Sequence, residues 1–321
     1  MTSLAIIIVS TNEAHWLRPC LSSVFEHAGD IDLDVVVADN SSTDGTRELV
    51  ESEFPKARVI TCANRGFAHG NNSAYFSTTA PYVLFLNPDT EILEGTFEDL
   101  VEALEQRPDV GLVGVRQQLS NGRLHPTIRR FPPVRRIFFD SLAAERLPLG
   151  SAALGCRVTD LSLYDKEIAC DWTSGSFMLV RRSAIESAGL MDERFFIYLE
   201  ETDFCLRIRK AGWEIRHLPH MVILPHADKA GFSERMTSQD AYAWRQYMRK
   251  NFTLTQRVGA TAALALRFGL RAVVGGPDAE LNRPRRKAGR IALATLVGVR
   301  KPPFGPPPRQ GLVARQCEPG R

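Results

Sequence analysis

The chain has 321 residues, 44% hydrophobic and 24% charged, the balance of an ordinary globular protein with room for one large domain plus extensions, or two domains. Its net charge of +3 conceals a split: residues 251–321 carry 13 Lys/Arg against 3 Asp/Glu, whereas the remainder carries 27 against 34. A basic tail on an acidic body points to an anionic surface as the tail's partner, and without an aromatic-studded basic motif it argues against nucleic acid.

Leu4–Val9 is an unbroken, β-branched apolar run that ends at Ser10-Thr11-Asn12. Lacking a basic leader and too short for a signal peptide or a span, it predicts a strand buried on both faces, as in a parallel sheet. A helix over about 16–27 follows, then a second such strand over 34–39, closing on Asp39 and the loop Asn40-Ser41-Ser42-Thr43-Asp44-Gly45. A helix (46–53), a strand (58–61), a helix (70–78), a strand (82–86), a helix (95–106) and a strand (110–115) continue the alternation. That rhythm predicts a doubly wound α/β sheet with helices on both sides and ligands at the carboxyl ends of its strands. Asp39 and Asp89 both fall at such ends.

Residues 120–165 break the pattern, and the basic, proline-interrupted stretch Arg129–Arg136 reads as a mobile excursion. Order resumes at Asp171–Ser176 with a strand through Val180. The segment Phe196–Arg207 then crowds Glu200, Glu201 and Asp203 into four residues where an apolar run becomes a helix. Acids in a first turn are held ionised by the helix dipole and unpaired N–H groups, so a carboxylate there can accept a hydroxyl proton. A strand over 213–217 and a loop carrying Pro225-His226 follow. Six cysteines with no CxxC pair argue against a zinc site and against a disulfide framework, and suit a reducing cytosol.

Three further pieces carry chemistry. The polar, glycine-punctuated Asn64-Arg65-Gly66-Phe67-Ala68-His69-Gly70-Asn71-Asn72 opens a helix and can set backbone N–H groups and Arg65 against a diphosphate. Asn87-Pro88-Asp89 can place Asp89 on a hard divalent cation, with Asn87 a weaker or outer ligand. His226 can complete that shell, which tilts the choice from Mg²⁺ toward Mn²⁺. Each piece taken singly is equally at home as a turn or a cap.

In order, these segments resemble the family-2 glycosyltransferases of the GT-A fold, in the rhamnosyltransferase-like branch. The matching residues are Val9–Asn12, Asp39–Gly45, Asn64–Asn72, Leu86–Asp89, Trp172–Gly175, and Asp192–Phe196 running into Glu200–Asp203, covering roughly residues 4–230. The resemblance implies an inverting sugar transfer from a nucleoside-diphosphate sugar, dTDP-L-rhamnose by branch, to a hydroxyl of a glycan or polyprenyl-linked acceptor. Asp39 would meet the base or ribose, on a donor surface with Thr11, Asn12, Asn64, Arg65, Gly66, Asn71 and Asn87. Asp89 matches the acid of the family's metal motif, where Asn87 is the departure. Glu201 matches the general base, with Glu200 its rival in register and Asp203 a further acid that orients acceptor or helix. Trp172 and Gly175 match the acceptor side. A sugar-phosphate nucleotidyltransferase and a non-catalytic sugar-nucleotide binding module are the competing classes. The first is opposed by Ser10-Thr11-Asn12-Glu13 standing where a Gly-rich, basic phosphate loop is needed.

The implied catalytic domain spans 1–250. Residues 251–301 read as a basic amphipathic helical extension able to lie on an anionic membrane at its cytoplasmic face, and 302–321 as a disordered tail.

Overall fold

The computed structural model describes residues 3–142, 154–226, 233–273, 279–304 and 318–319. Its first strand, β1 (Ser3–Ser10), explains the opening apolar run. Leu4, Ile6 and Ile8 enter one hydrophobic cluster with Leu17, Leu21 and Phe97. Ala5, Ile7 and Val9 enter another with Ala68, Phe85 and Phe204. A strand between two helical layers sends alternate side chains into two cores, so every position is apolar.

Around β1, the strands β2 (Asp32–Asp39), β3 (Ala57–Thr61) and β4 (Tyr82–Leu86) pair in parallel, in the order β3-β2-β1-β4. The helices α1 (Ala14–Glu26), α2 (Thr46–Glu53) and α3 (Phe67–Tyr75) connect them. Next in the chain come β5 (Thr90–Glu94), α4 (Phe97–Glu105), β6 (Val110–Gln117), α5 (Val134–Ser141), β7 (Ile168–Ala169) and β8 (Phe177–Arg181). They are followed by α6 (Arg182–Ala188), α7 (Glu200–Lys210) and β9 (Glu214–Pro225). Beyond β4 the sheet is mixed: β8 lies antiparallel between β4 and β6, β9 runs parallel to β6, and β5 closes the edge antiparallel to β9. The antiparallel β8 puts its first residue, Phe177, opposite Leu86, the last of β4. The loop before β8 therefore meets the loop after β4.

The C-terminal helices are α8 (Glu234–Asn251), α9 (Leu254–Val273) and α10 (Ala279–Val297). Ala241 and Met248 of α8 share a core with Ala260, Leu264 and Phe268 of α9, Leu296 of α10 and Ile137 of α5. The helical extension thus begins in packing terms at α8, ahead of residue 251. Yet α8 also binds the sheet domain, since Ala243 and Tyr247 pack with Phe195 and Leu199. α5 takes up the last residues of the expected excursion at 129–136 and docks them on this core, while Arg129 bridges to Arg157 and Trp172.

Two expectations fail at the C-terminus and among the cysteines. Phe304 stacks on Phe196 at 4.1 Å with ring planes 5° apart, and Glu318–Pro319 (β10) pairs antiparallel with β3, so these parts of 302–321 are ordered. Residues 305–317 and 320–321 of that stretch lie outside the described residues. Cys62 is disulfide-bonded, while Cys20, Cys156, Cys170 and Cys205 are free. Absence of a CxxC pattern excludes local pairing and says nothing about one long-range bridge. No helix among the described residues is long and apolar enough to cross a membrane.

Candidate active site

The carboxyl edge of the sheet gathers most of the residues singled out in the sequence. Asp39 ends β2 almost fully buried, and one of its oxygens accepts the Ser42 N–H at 2.9 Å, which shapes the acidic loop. Thr11 leaves β1 at the same edge, because Ser10 pairs with Asp39. Asn12, at φ 57°, clasps the two loops: its N–H donates to Ser42 Oγ at 2.9 Å and its Oδ1 accepts the Thr43 N–H at 2.7 Å.

The Asn64–Gly66 turn reaches this edge through Asn40, whose amide donates to the Gly66 carbonyl at 3.3 Å. Gly66 sits at φ 105°, and a Cβ there would lie 2.2 Å from the Phe196 carbonyl oxygen, which accepts the Phe67 N–H at 2.8 Å. Only glycine fits between this turn and the segment leading into α7. Gly66→Ala is expected to destabilise the protein by about 2 to 3 kcal/mol, read as a lowered urea midpoint at unchanged m. An unchanged midpoint contradicts the close approach. Arg65 lies beside Glu193. Burial works against that carboxylate, but hydrogen bonds from His69 and Asn72, with Arg65 nearby, hold it below its ordinary pKa. Asn71 has no exposure; its Nδ2 donates to Phe67 O one turn back at 3.0 Å, and its Oδ1 is buried without a hydrogen-bond partner.

Asp89 follows β4 and precedes β5. Burial raises its pKa, opposed by His226 and a hydrogen bond from Asn87. Its neighbour across the β5–β9 pairing is His226, whose N–H donates to Asp89 O at 2.7 Å. Glu91 binds His226 Nε2 at 2.6 Å and Trp16 stacks on the ring at 4.4 Å. These contacts fix the imidazole and leave Nδ1, like Asp89 Oδ1, buried without a hydrogen-bond partner. A carboxylate oxygen and a ring nitrogen left unmatched, with the other ring nitrogen oriented by an acid, are of the chemical type that can bind a divalent cation. No cluster of three or more His, Cys, Asp or Glu able to hold a metal occurs among the described residues. Glu13 belongs to the same corner: burial, then the Asp89 charge, push its carboxyl up to about 7.

The acidic helix approaches from the β8 side. Asn87 N–H donates to Ser176 O at 3.1 Å, and a Cβ on Gly175 would sit 3.5 Å from Glu201 Cβ. The chain Asp89–Asn87–Ser176–Gly175–Glu201 is therefore contiguous along one edge. α7 starts without a side-chain cap, after Tyr198 and Leu199 at φ 77° and 65°. Two successive left-handed non-glycine residues store strain of about 1–3 kcal/mol each, held by packing. They aim the first turn of the helix.

The three acids part company there. Glu201 is half-buried, and burial lifts its carboxyl to about 6, while backbone N–H groups and Arg129 limit the rise. Glu200 is 5% exposed; burial, then the Glu201 charge, push it well above the carboxylate range. Asp203 is fully buried, its Oδ2 bound to Arg207 Nε at 2.9 Å and Lys250 Nζ at 2.7 Å, its Oδ1 to Asn251 Nδ2 at 3.1 Å. With both oxygens committed it cannot meet a substrate hydroxyl, which corrects its place among the catalytic candidates; it orients α7 against α8.

Trp172 donates from Nε1 to Arg130 O at 3.1 Å and lies under the Arg129 guanidinium at 5.7 Å. Glu13 is a site neighbour that sequence reasoning missed, and Arg129 one that it placed only within an excursion, with no role of its own. Glu13 had a signal, an acid directly after the first strand's polar loop. Arg129 had none, because a long-range bridge to Trp172 places it.

The family model described as Glycosyl transferase family 2 matches residues 5–169. The chain is 29% identical over 235 residues to the N-acetylglucosaminyl-diphospho-decaprenol L-rhamnosyltransferase of Mycobacterium tuberculosis, covering 70% of this chain and 76% of that protein. It is 25% identical over 264 residues to Rhamnosyltransferase WbbL of Escherichia coli, covering 78% and 92%. Among solved structures, the mannosyltransferase PcManGT from Pyrobaculum calidifontis, in complex with GDP-Man and Mn²⁺, superposes with TM-score 0.53 at 18% identity, covering 92% of this chain and 86% of that one. GalNAc-T7 with UDP, GalNAc and Mn²⁺ superposes at 0.59 with 12% identity, covering 90% and 54%. At such identities these two structures are alike in fold.

Proposed function

The chain belongs to glycosyl transferase family 2, an inverting glycosyltransferase that uses a nucleotide sugar, and from that premise we propose that it transfers L-rhamnose from dTDP-L-rhamnose to a sugar hydroxyl on a prenyl-diphosphate-linked acceptor. Rhamnose and the lipid-linked acceptor are supported by the names of the relatives above. The observation that carries the catalytic part is Glu201: a half-buried carboxylate, lifted by burial to about 6, against Gly175, on the edge shared with Asp39 and Asp89.

In the proposed mechanism Glu201 accepts the acceptor's O–H proton as that oxygen attacks the anomeric carbon from the face opposite the diphosphate. The new C–O bond forms as the bond to the diphosphate breaks, the electron pair leaves with the diphosphate, and Glu201 ends protonated. Glu200, nearly fully buried and pushed well above the carboxylate range by burial and then by the Glu201 charge, is the less accessible candidate for the base. Asp39 and the Asn64–Gly66 turn hold the nucleotide, and Trp172 and Gly175 line the acceptor side. Asp89 and His226 would hold a divalent cation, Mn²⁺ or Mg²⁺, and when bound it supplies positive charge to the departing diphosphate. Incubation with dTDP-L-rhamnose and N-acetylglucosaminyl-diphospho-prenol tests the proposal. It predicts dTDP released in step with a product of inverted anomeric configuration; release of pyrophosphate from a nucleotide and sugar phosphate would favour a nucleotidyltransferase.

Peripheral membrane contact is part of the same proposal. On α9, Leu254, Val258, Leu266, Leu270 and Val273 form an exposed apolar stripe at helical spacing, and Phe138 and Leu142 beside α5 are exposed too. Arg283, Arg285, Arg286 and Arg290 are exposed on α10. Apolar side chains flanked by arginines suit the interface of an anionic bilayer. Leu266→Glu with Leu270→Glu is expected to abolish flotation of the full chain with anionic liposomes. Flotation equal to wild type contradicts the membrane assignment.

A further inference from the structure

Away from the sheet edge lies a cavity of about 430 Å³ between the start of α8, the side of α10 and the segment after it. Three cations line it, Arg235, Arg300 and Lys301, and all three are exposed. None of them is in an ion pair among the described residues. The single acid in the wall, Glu234, is engaged with Lys287 at 2.9 Å. Unopposed like charges around one hollow cost free energy unless an anion offsets them. Arg235 also stands in the first turn of an 18-residue helix, where the dipole adds to the positive potential.

The rest of the wall is Ile291, Pro302 and Pro303 with Ser238, whose hydroxyl is engaged with Thr295 Oγ1 at 2.8 Å. Cations set directly beside apolar residues in one wall, as Arg300-Lys301 are beside Pro302-Pro303, match a headgroup joined to a hydrocarbon better than a free nucleotide, which needs hydrogen-bonding partners for its base. The cavity is also coupled to the acidic motif. The Arg235 guanidinium lies 4.1 Å over the Phe304 ring, which stacks on Phe196, and one turn along α8 Gln239 Nε2 donates to Ile197 O at 3.4 Å. Phe196 and Ile197 run directly into Glu200 and Glu201.

We propose that this cavity is a subsite for the diphosphate and first isoprene unit of a prenyl-linked acceptor, held by Arg235, Arg300 and Lys301. The assignment rests on the lipid-linked acceptor reading above and adds the residues that would recognise it. A ligand anchored there lies beside the segment that runs into the general base, through Phe304 and Gln239 to Phe196 and Ile197.

Farnesyl diphosphate, inorganic pyrophosphate and dTDP, titrated calorimetrically into the full chain, separate the possible sources of a diphosphate. Farnesyl diphosphate is expected to bind more tightly than pyrophosphate, and Arg300→Ala with Lys301→Ala, both solvent-exposed, to weaken it about 10-fold or more while dTDP binds as in wild type. Arg235→Glu is expected to weaken it further, and retained dTDP affinity shows that the variant is folded. Unchanged farnesyl diphosphate affinity in the variants, equal affinity for pyrophosphate, or parallel loss of dTDP would each overturn the subsite. Because binding is measured without turnover, absent rhamnosyl transfer alongside variant-sensitive farnesyl diphosphate binding would sink the functional reading and leave the subsite standing.

Discussion

Glu201→Gln is expected to retain nucleotide-sugar binding and to lose roughly 100-fold or more in turnover. The amide keeps the volume and the contact with Gly175 but cannot take a proton from the acceptor. Donor binding survives because Asp39 and the Asn64–Gly66 turn reach the sheet edge through β2 and Asn40, independently of α7. The pH profile supplies a second signature. Burial raises the Glu201 carboxyl to about 6, and the base works only when ionised, so kcat/KM of the wild type should fall as pH drops through about 6. That limb should vanish in the variant. Glu200→Gln exchanges a buried carboxyl, pushed well above the carboxylate range, for a neutral amide and should cost far less turnover. If Glu200→Gln abolished the acidic limb and Glu201→Gln kept it, the two roles would have to be exchanged.

Asp89→Asn should be nearly as damaging, lowering turnover by roughly 100-fold and uncoupling nucleotide binding from divalent cation. The substitution keeps the shape of a half-buried side chain next to Asn87 and His226 while removing the charge that favours a hard cation. Thermal unfolding with dTDP is the direct readout, because a ligand held at 100 times its Kd stabilises the folded state by about 2.7 kcal/mol. Mn²⁺ should enlarge the dTDP-induced shift in the wild type, chelator should remove the increment, and in Asp89→Asn the cation should add nothing. A Mn²⁺ increment undiminished in the variant would take Asp89 out of the site.

Much of the sheet and its acidic edge was legible because both come from local rules. A β-branched run buried on two faces has no room for polar residues, which marks β1 and β2, and an acid closing such a strand must lie where the sheet opens to ligand. The first turn of α7 was visible for the same reason, as three carboxylates where helical spacing begins. What the three acids do was not visible. Lys250 and Asn251, far along the chain, claim both oxygens of Asp203, and the two left-handed residues before α7 turn Glu200 inward and Glu201 toward Gly175. Arg129 was hidden in a proline-broken basic stretch because its place depends on pairing with Trp172. β5 is only five residues long and earns its strand geometry from β9, and Phe304 folds back onto Phe196 by an aromatic contact that no periodicity announces.

The central claim is that Asp39, Asp89 and Glu201 serve one nucleotide sugar along one sheet edge. A crystal structure of the full chain with dTDP and Mn²⁺ tests it most directly. The account predicts the nucleoside against Asp39, Mn²⁺ on Asp89 with the diphosphate completing its shell, and the free phosphate end facing Glu201 and Gly175. Nucleotide seated among α8, α9 and α10, or Mn²⁺ bound away from Asp89, would contradict it.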